Sequence, residues 1–416
     1  MSGERFNTLL TALPPPGTRR LALHVLPKAE RALQSGHPWL FSEGIVEQNC
    51  EGSAGDIAVV FDKRDRFLAA GLYDPDSIIR VRILANGQSE PIGPSLFMGR
   101  LSAAAAKRRG FEPRGTNGYR LVNGENDGLP GLVIDRYADT YVLKLYTAAW
   151  VLHLPGICSA LDELCAPPNL VLRLNKATRA LPEKLFGLSE GQALAGTNAQ
   201  TVFSENNLLF EVDPVHGQKT GFFLDQRENR SKVGKLAGGK SVLNVFSYTG
   251  GFSLYAARGG ASHVASLDIS RPALDAAVRN FKLNCSDPNV AAARHELIAE
   301  DAFRALSSLA ERKQFFDMLI VDPPSFAQKN ADRHNALQAY ARLTKFALRV
   351  LRPGGVLVSA SCSSRVDANT FFDTVNSAAA ACRRPLHEIE RTAHAKDHPV
   401  TYREGAYLKC VFAVVP

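Results

Sequence analysis

The feature that most constrains the fold is a strict alternation of short apolar runs and helix-like segments after Leu208. Strands buried on both faces of a sheet read as apolar runs, and parallel neighbours need a crossover, usually a helix, between them. The pattern therefore predicts a parallel sheet covered by helices on both faces, with the last run, YLKCVFAVV, as an added edge strand. The other predicted strands are SVLNVF, HVASLD, HELIAE, MLIVD and GVLVSAS, and the predicted helices lie near 252–258, 271–284, 335–351 and 367–382.

The rest of the chain follows other patterns, and 416 residues are too many for one ordinary core. From Leu21 to about Pro94, short apolar runs separated by turn residues predict a small β-barrel with a hairpin turn at 62–66. The next part mixes strands with a helix over 150–164, which is an α+β pattern. The predicted division is a leader at 1–19, a β module at 20–94, an α+β domain at 95–205 and an α/β domain at 206–416.

The composition narrows the partners and the compartment. The chain has 49 Lys and Arg against 41 Asp and Glu, a formal charge of +8, which favours polyanionic partners, although a merely basic protein would show the same excess. Its 7 cysteines are scattered without a CxxC pair, which argues against a disulfide framework and a zinc site and suits a reducing compartment. With no signal-peptide pattern and no apolar run of the ~18 residues that a spanning helix needs, we expect a cytoplasmic protein with no membrane partner and no metal.

Positive charge is concentrated between residues 100 and 120. Cations in the last turn of a helix ending near Lys107 are explained by helix-dipole chemistry alone. The excess is nevertheless the best candidate for a phosphate-binding patch in the N-terminal half, with Arg108 and Arg109 as the expected contacts. The patch has only Glu112 opposing it and consists of Arg100, Arg108, Arg109, Arg114 and Arg120.

Polar residues stand where the predicted strands of the α/β domain end. The strand VLNVF turns through SYTGG into a helix, and glycine there lets a ligand approach the backbone. Asp268, Asp301 and Asp322 end the next strands, and at Asp268 a carboxylate can accept both hydroxyls of a ribose. The GxGxxG pattern of a nicotinamide site is absent, so no pyrophosphate cradle is evident. The pattern predicts an adenosine-type cofactor without a diphosphate.

An acid and a thiol also follow the ends of two predicted neighbouring strands. Asp322 comes directly after MLIV, and Cys362 comes directly after GVLVSAS. A lone Cys in a strand is ordinarily a small buried hydrophobe. Its place at a strand end, in the sheet that carries Asp322, makes Cys362 a candidate nucleophile. Phe326, which follows Asp322 in DPPSF, can stack on a substrate base or simply pack in the core, and the two readings are equally supported.

Several motifs resemble known ones. VLNVFSYTGGFS, the three strand-end acids and DPPSF are similar to the ordered motifs of class I S-adenosylmethionine methyltransferases. HGQKTGFFLDQRENR, GHPWLF, RLVNGENDGLPGLVIDRY, DHPV and YREGAYLK resemble a bacterial family of large-subunit (23S) ribosomal RNA cytosine-C5 methyltransferases, over nearly the whole chain beyond residue 20. The resemblance implies a small β-barrel of the PUA type, a central α+β domain and a C-terminal Rossmann-like class I methyltransferase sheet. It also implies S-adenosyl-L-methionine as cofactor and ribosomal RNA as partner, and it leaves a homodimer open.

The same resemblance implies roles for individual residues. Cys362 would add to C6 of a flipped cytosine and Asp322 would hold its N3 and amino edge, so that 5-methylcytosine forms through a covalent adduct. The other branch of cytosine enzymes carries a second Cys in the DPP motif; this chain has none there, which leaves the acceptor of the C5 proton unassigned. The expected RNA contacts are Pro323, Pro324 and Phe326 in the DPPSF turn, together with Arg108 and Arg109 from the basic patch. The implied cofactor contacts are Phe223, Asp225, Gln226, Arg227, Asn244, Phe246, Ser247, Tyr248, Thr249, Gly250, Asp268, Ile269, Ser270, Asp301, Ala302 and Asp322.

Two other functions fit the same residues. DPPSF also suits methylation of an exocyclic amine such as guanine N2, where the Pro323 carbonyl and Asp322 would orient the nitrogen and no thiol is required. A non-catalytic RNA-binding assembly factor would keep the basic N-terminal modules and tolerate loss of Cys362.

Overall fold

A computed structural model of the protein describes residues 5–197, 199–327 and 329–416. The chain divides into two compact units. The first comprises the residues up to Asn207 together with Val212–Leu224 and Asp397–Pro399, and the second comprises Leu208–Glu211, Asp225–Lys396 and Val400–Pro416.

The first unit begins with a six-stranded sheet in the order β2-β6-β5-β4-β1-β3. Strands β1 and β4 pair in parallel, and the other neighbours are antiparallel. The predicted turn at 62–66 is confirmed, because Asp62 Oδ1 accepts hydrogen bonds from the Arg64 and Arg66 amides between β4 and β5. The elements are α1 Thr8–Thr11, β1 Arg20–Val25, α2 Pro27–Gln34, β2 Trp39–Phe41, β3 Ile45–Gln48, β4 Ile57–Phe61, β5 Phe67–Tyr73 and β6 Ile79–Asn86.

A second sheet of the first unit has the order β11-β10-β9-β8-β7 and packs against two helices. The helix predicted at 150–164 is a short 3-10 segment, Ala148–His153, followed by an α-helix. Pro155 lies in the first turn of that helix, where the missing N–H is not needed. The elements are α3 Pro94–Arg108, β7 Gly118–Asn123, β8 Leu132–Tyr137, β9 Thr140–Leu145, α4 Leu154–Cys165, β10 Asn169–Leu174, α5 Lys176–Arg179, β11 Ala193–Ala195 and β12 Thr201–Glu205. The next strand, β13 Leu208–Val212, is divided between the units, with Leu208–Glu211 in the second.

The second unit is built on a seven-stranded sheet in the order β16-β15-β14-β17-β18-β20-β19. The first five strands of this order are parallel, and β20 is antiparallel to both of its neighbours. The elements are α6 Arg227–Leu236, β14 Ser241–Val245, α7 Gly251–Arg258, β15 His263–Asp268, α8 Arg271–Leu283, α9 Pro288–Ala292, β16 Arg294–Ala299, α10 Ala302–Glu311, β17 Phe316–Val321, α11 Arg333–Val350, β18 Leu351–Ser361, α12 Ala368–Ala381, β19 His387–Thr392 and β20 Lys409–Val414.

The multidomain α/β fold class is confirmed, and one strand differs from the prediction. The segment YLKCVFAVV forms β20, which lies between β18 and β19 and is not the edge. The edge is β19, whose sequence HEIERT is almost wholly exposed. Charged side chains suit an edge strand because they discourage pairing with another chain, and the same charges hide the strand from an apolar pattern.

The strand order reverses at β14, with β15 and β16 on one side and β17 and β18 on the other. In open α/β sheets, ligands bind outside the carboxyl ends of the strands at such a reversal. The residues that follow β14, β15, β17 and β18 are therefore the first place to look for a site. Among the described residues, no helix has both the length and the apolarity needed to cross a bilayer.

Candidate active site at the carboxyl ends of the second-unit sheet

The turn after β14 has a strained backbone. Phe246, Tyr248 and Gly250 have φ values of 61°, 48° and 76°, all in the left-handed region. A non-glycine residue in this region costs about 1–2 kcal/mol. Hydrogen bonds hold the turn in place, from Tyr248 N to Asp268 Oδ2 at 2.8 Å and from Ser247 N to Leu267 O at 3.0 Å. Such strain clusters at ligand-binding sites, so the turn is a candidate cradle.

Three buried oxygens beside this turn have no hydrogen-bond partner within the described parts of the chain. They are Asn244 Oδ1, Ser247 Oγ and Thr249 Oγ1. Buried polar atoms are satisfied in the great majority of cases, so a group of three in one turn indicates a polar ligand. Of the residues predicted to bind a cofactor here, the structure brings Asn244, Phe246, Ser247, Tyr248, Thr249 and Gly250 together.

A buried chain of hydrogen bonds leads from Asn244 away from the turn. Asn244 Nδ2 donates to Ser253 Oγ at 2.9 Å, Ser253 Oγ lies 2.7 Å from Ser266 Oγ, and Ser266 Oγ lies 2.9 Å from His295 Nε2. His295 stacks on Phe281 with ring centroids 3.7 Å apart. Burial, and next the charge of His263, lower the pKa of His295 to about 4. The imidazole is therefore neutral at physiological pH, and the chain fixes the orientation of the Asn244 amide.

Asp268, at the end of β15, has both carboxylate oxygens fixed by the backbone. Oδ2 accepts from Tyr248 N at 2.8 Å, and Oδ1 accepts from Ser270 N at 2.9 Å. Each carboxylate oxygen has a further lone pair, so both can still accept hydroxyl groups. Ile269 follows with 77% of its surface exposed, which places a large apolar side chain beside this carboxylate.

Asp301 has a structural role that the sequence prediction did not include. Its Oδ1 accepts from Phe303 N and Arg304 N, each at 3.1 Å, and so caps the N-terminus of α10. Ala302 is the first residue of that helix and is 5% exposed. An Asp directly before a helical run is a capping signal. The expected cofactor contacts of Asp301 and Ala302 stay predictions.

Asp322 follows β17 and accepts a hydrogen bond from Gln226 Nε2 at 2.9 Å. Asn229 Nδ2 in turn donates to Gln226 Oε1 at 2.5 Å. Gln226 and Asn229 are 2% and 1% exposed, so their amides cannot turn freely. The sequence predicted Gln226 as a cofactor contact and assigned nothing to Asn229. The structure shows the pair as a buried support for the Asp322 carboxylate, and the expected cofactor contact of Gln226 stays a prediction.

Asp225 and Arg227, predicted beside Gln226, are both buried at 2% exposure. Asp225 Oδ2 accepts a hydrogen bond from Tyr407 Oη at 2.8 Å. Tyr407 belongs to the YREGAYLK segment, to which the sequence assigned no contact, and its ring lies edge-on to His394 at 4.4 Å. The end of the chain thus contributes to the environment of Asp225.

Cys362 is the first residue after β18 and is partly exposed. In the parallel pair β17–β18, Val321 is paired with Ser359, so Asp322 and Cys362 leave neighbouring strands at the same edge of the sheet. Ser361, just before the thiol, has its Oγ 2.9 Å from Tyr340 Oη. The predicted proximity of the acid and the thiol therefore agrees with the register.

The DPPSF turn packs against the same tyrosine. Phe326 lies edge-on to Tyr340, with ring centroids 5.0 Å apart, and is partly buried. Pro323 is buried and Pro324 is exposed. Packing thus accounts for one side of the Phe326 ring, and stacking on a base stays a prediction.

Other cysteines lack the setting of Cys362. Burial raises the pKa of the Cys158 thiol to about 12 and also raises the pKa of Cys410, so neither is a thiolate at neutral pH. Cys285 is exposed and lies just beyond α8. Within 5–197, 199–327 and 329–416, no cluster of three or more His, Cys, Asp or Glu side chains is arranged to hold a metal ion.

Arg108 differs from the sequence expectation. It is 2% exposed, and its guanidinium binds both oxygens of Asp127, at 2.9 and 2.7 Å, and the carbonyl of Asp397. Arg120 is likewise paired, with Asp135 at 2.8 Å. A phosphate contact by Arg108 does not agree with this placement, because its charge is already buried against a carboxylate. Arg109 is exposed, so the prediction for it stands untested.

Phe223 lies in the first unit, where the Lys219 ammonium is 4.5 Å from its ring centroid. Its expected contact with a cofactor stays a prediction.

Comparison with known proteins adds a family to this geometry. A model of S-adenosylmethionine-dependent methyltransferases matches residues 173–412, and a model of PUA-like domains matches residues 23–86. A Deinococcus radiodurans protein named ribosomal RNA large subunit methyltransferase is 46% identical over 94% of this chain and 97% of its own length. A Photobacterium profundum protein named ribosomal RNA large subunit methyltransferase I is 38% identical over 93% of this chain and 98% of its own length.

Solved structures share the fold. A Streptococcus mutans chain described as a SAM-dependent methyltransferase superposes with a TM-score of 0.80 at 23% identity, over 95% of this chain and 100% of that chain. Another structure, described as a methyltransferase complexed with SAH, gives a TM-score of 0.80 at 22% identity with the same coverage.

Proposed function

The chain belongs to the S-adenosylmethionine-dependent methyltransferase family, and from this premise we propose that it forms 5-methylcytosine in large-subunit (23S) ribosomal RNA. The RNA substrate is supported by the names of the relatives and by the formal charge of +8. Methylation at C5 of cytosine is supported by one observation above all: Asp322 and Cys362 follow the ends of neighbouring parallel strands, β17 and β18.

The cofactor is S-adenosylmethionine, which supplies an activated methyl group when bound. The residues present fit it. Asp268 would accept the ribose hydroxyls, and the exposed Ile269 would contact the adenine. The orphaned oxygens of Asn244, Ser247 and Thr249 would receive polar hydrogens of the cofactor or of water that it orders.

Cys362 would act as the nucleophile. Its thiolate adds to C6 of the cytosine and forms the Sγ–C6 bond, while the C5=C6 π pair becomes a C4=C5 double bond and the C4=N3 π pair moves onto N3. A proton shared between N3 and the Asp322 carboxyl group would balance the charge on N3, and C5 becomes enamine-like. C5 would then form the new bond to the methyl group while the bond between that methyl and the sulfonium sulfur breaks, with S-adenosylhomocysteine as the leaving group. Loss of the C5 proton to an unassigned base restores the C5=C6 double bond and expels the thiolate.

Asp322 would hold the N3 and amino edge of the cytosine during these steps. The base has to leave its stack to reach the carboxylate, and contact with its Watson–Crick edge is the usual way to hold a flipped base. Gln226 and Asn229 fix the carboxylate before the base arrives, so little reorganisation is needed. Pro323, Pro324, Phe326 and Arg109 are the remaining RNA contacts in this proposal.

The decisive experiment compares wild-type protein with Cys362→Ala on unmodified large-subunit ribosomal RNA, both naked and in assembling subunits. Labelled S-adenosylmethionine is added, and the methylated nucleoside is identified by mass spectrometry. We expect 5-methylcytosine from wild type and none from Cys362→Ala. Cys285→Ala is the matched control and should keep full activity, because that cysteine is exposed and lies outside the strand-end residues.

The outcomes separate the alternatives. Methylation retained by Cys362→Ala would rule out the thiol mechanism, and N2-methylguanosine as the product would establish the exocyclic-amine reading. A wild-type protein inactive on both RNA substrates would point to an assembly factor. A denaturant-stable adduct with RNA containing 5-fluorocytosine would support the covalent step independently, because fluorine at C5 cannot leave as a proton.

The proposal extends to the organisation of the protein. We propose a leader at 1–19, an RNA-binding PUA-like domain at 20–94, a central α+β domain at 95–205 and a methyltransferase domain at 206–416. An enzyme that modifies ribosomal RNA would work in the cytoplasm. The homodimer is an untested prediction, which light scattering in solution would decide.

A further inference from the structure

We propose that Lys409 is a positioning residue for Cys362, which holds the turn that carries the thiol and places a positive charge beside it. The inference rests on the proposed function, in which Cys362 attacks the base. Lys409 ends the YREGAYLK segment, to which neither the fold nor the chemistry above has given this role.

The position of Lys409 follows from the sheet. It is the first residue of β20, and in the antiparallel pair β18–β20 it lies opposite Ser361, the residue before Cys362. Lys409 is 3% exposed. A lysine is almost never fully buried unless its ammonium is well partnered, so this placement needs an explanation.

The partners of the ammonium are backbone carbonyls. Lys409 Nζ donates to the carbonyl oxygens of Ser363, of Val366 at 2.6 Å and of Tyr407 at 3.1 Å. An ammonium has three N–H donors, and all three are engaged. Ser363 and Val366 belong to the turn between Cys362 and α12, so the lysine fastens this turn to β20.

The charge of the ammonium has no carboxylate partner at ion-pair distance in the described residues. Burial lowers the pKa of Lys409 to about 8, and the charges of Cys362 and Asp367 oppose this effect. Because the interaction of two titrating groups is mutual, a cation that is favoured by the Cys362 thiolate also favours that thiolate.

The other titratable groups around the thiol do not supply such a charge. Burial raises the pKa of Tyr340 to about 12, so it is neutral, and Asp322 would oppose a thiolate. Asp367 is also acidic, and Arg365 lies on the same turn but is exposed, where solvent screens its charge. Lys409 is a buried cation that is bonded directly to the carbonyl of Ser363, the residue after Cys362.

Lys409 is not the acceptor of the C5 proton. A base needs a lone pair, and all three N–H groups of the ammonium are already donated to carbonyl oxygens. Its role is to act through Cys362.

The test is the pH dependence of alkylation, which needs no RNA. Wild type, Lys409→Gln and Lys409→Arg are treated with iodoacetamide at a series of pH values, and the modified Cys362 and Cys285 peptides are quantified by mass spectrometry. In Lys409→Gln we expect the midpoint for Cys362 to rise by about one pH unit, which means about tenfold less thiolate at neutral pH. Lys409→Arg should shift it less, and Cys285 serves as the internal control because it is exposed.

An unchanged Cys362 midpoint in a folded Lys409→Gln protein would overturn the inference. If that variant does not fold, Lys409→Arg decides, because moving the positive charge should also move the Cys362 midpoint, and a midpoint equal to that of wild type overturns the inference. If the Cys362 midpoint shifts in Lys409→Gln but the wild-type protein forms no 5-methylcytosine, the role of Lys409 is supported and the proposed function is overturned. If wild type forms 5-methylcytosine but the Cys362 midpoint does not shift in Lys409→Gln, the proposed function is supported and the role of Lys409 is overturned.

Discussion

Gln226 donates a hydrogen bond from its buried amide to the carboxylate of Asp322, with Nε2 and Oδ2 2.9 Å apart. Because Asn229 donates to the other end of the same amide, the Gln226 nitrogen has to face the acid. The acid at the end of β17 is therefore aimed by a residue that lies almost a hundred positions earlier in the chain. This relationship distinguishes two roles for Gln226, support of Asp322 and contact with the cofactor.

Gln226→Glu should reduce methylation by about 100-fold, because it replaces a donor at the carboxylate by a second negative charge. The dissociation constant for S-adenosylmethionine, measured by calorimetry, should change little. A collapse of cofactor affinity would instead establish Gln226 as a cofactor contact. Gln88→Glu, on an exposed residue of the first unit, makes the same chemical change and should alter neither quantity.

Gly250→Ala should weaken both the fold and cofactor binding. Gly250 has φ of 76°, and an added Cβ would lie 2.8 Å from the Cβ of Ala277. The strain alone is about 1–2 kcal/mol, so thermal unfolding should shift to lower temperature and the dissociation constant for S-adenosylmethionine should rise.

The matched control is Gly99→Ala in α3, where no atom lies within 4 Å of an added Cβ. Alanine is favoured over glycine in a helix by about 0.5–1 kcal/mol, so this variant should be slightly more stable than wild type. A Gly250→Ala protein as stable as Gly99→Ala would contradict the account of the strained turn.

Arg108 and its neighbour Arg109 should respond oppositely to substitution. Arg108→Leu removes the buried partner of Asp127 and leaves only the largely exposed Lys107 ammonium beside it, and breaking a buried pair in this way costs up to about 3–5 kcal/mol in the free energy of unfolding. Arg109→Ala should leave the unfolding transition in place and weaken RNA binding, with the slope of log affinity against log salt reduced by about 1. RNA affinity lost in a folded Arg108→Leu protein, with the salt slope lowered, would restore the original expectation for Arg108.

Acid should destabilise the second unit through His295. Its pKa is about 4 in the fold, below the 6.5 of an exposed histidine, because burial disfavours the charged ring. The unfolded chain therefore binds the proton more readily. The stabilising contribution of His295 is fully present above pH 6.5 and is lost as pH falls from 6.5 to 4, by up to about 3 kcal/mol.

Protonation should also reach the cofactor turn. A neutral His295 Nε2 can accept from Ser266 Oγ, whereas the protonated ring can only donate to it. Protonation therefore reverses this hydrogen bond and the one between Ser266 and Ser253, and Ser253 accepts from Asn244 in the cofactor turn. Cofactor affinity should fall with the same midpoint. In His295→Gln the loss of unfolding free energy between pH 6.5 and 4 should be smaller, and an identical loss would assign it to other groups.

The sequence predicts those features of the fold and the site that depend on residues close together in the chain. The sequence predicts Asp268 and the glycine turn because a strand end and the residues after it are adjacent in the chain. It predicts the parallel core strands because both of their faces are apolar. Features that depend on residues far apart in the chain could not be predicted from these patterns. The burial of Arg108 requires Asp127 and Asp397, and the orientation of Asp322 requires Gln226. The charged edge strand β19 carried no apolar signal at all.

The segment Asp397–Pro399 belongs to the first unit although it lies between two strands of the second. Asp397 Oδ2 accepts from the Arg120 amide at 2.8 Å, and the Pro399 carbonyl accepts from Asn123 Nδ2 at 2.9 Å. During synthesis, domains generally fold in order from the N-terminus. Here the first unit is without these bonds until Asp397–Pro399 have been synthesised, so its final closure has to wait until most of the second unit has also been made.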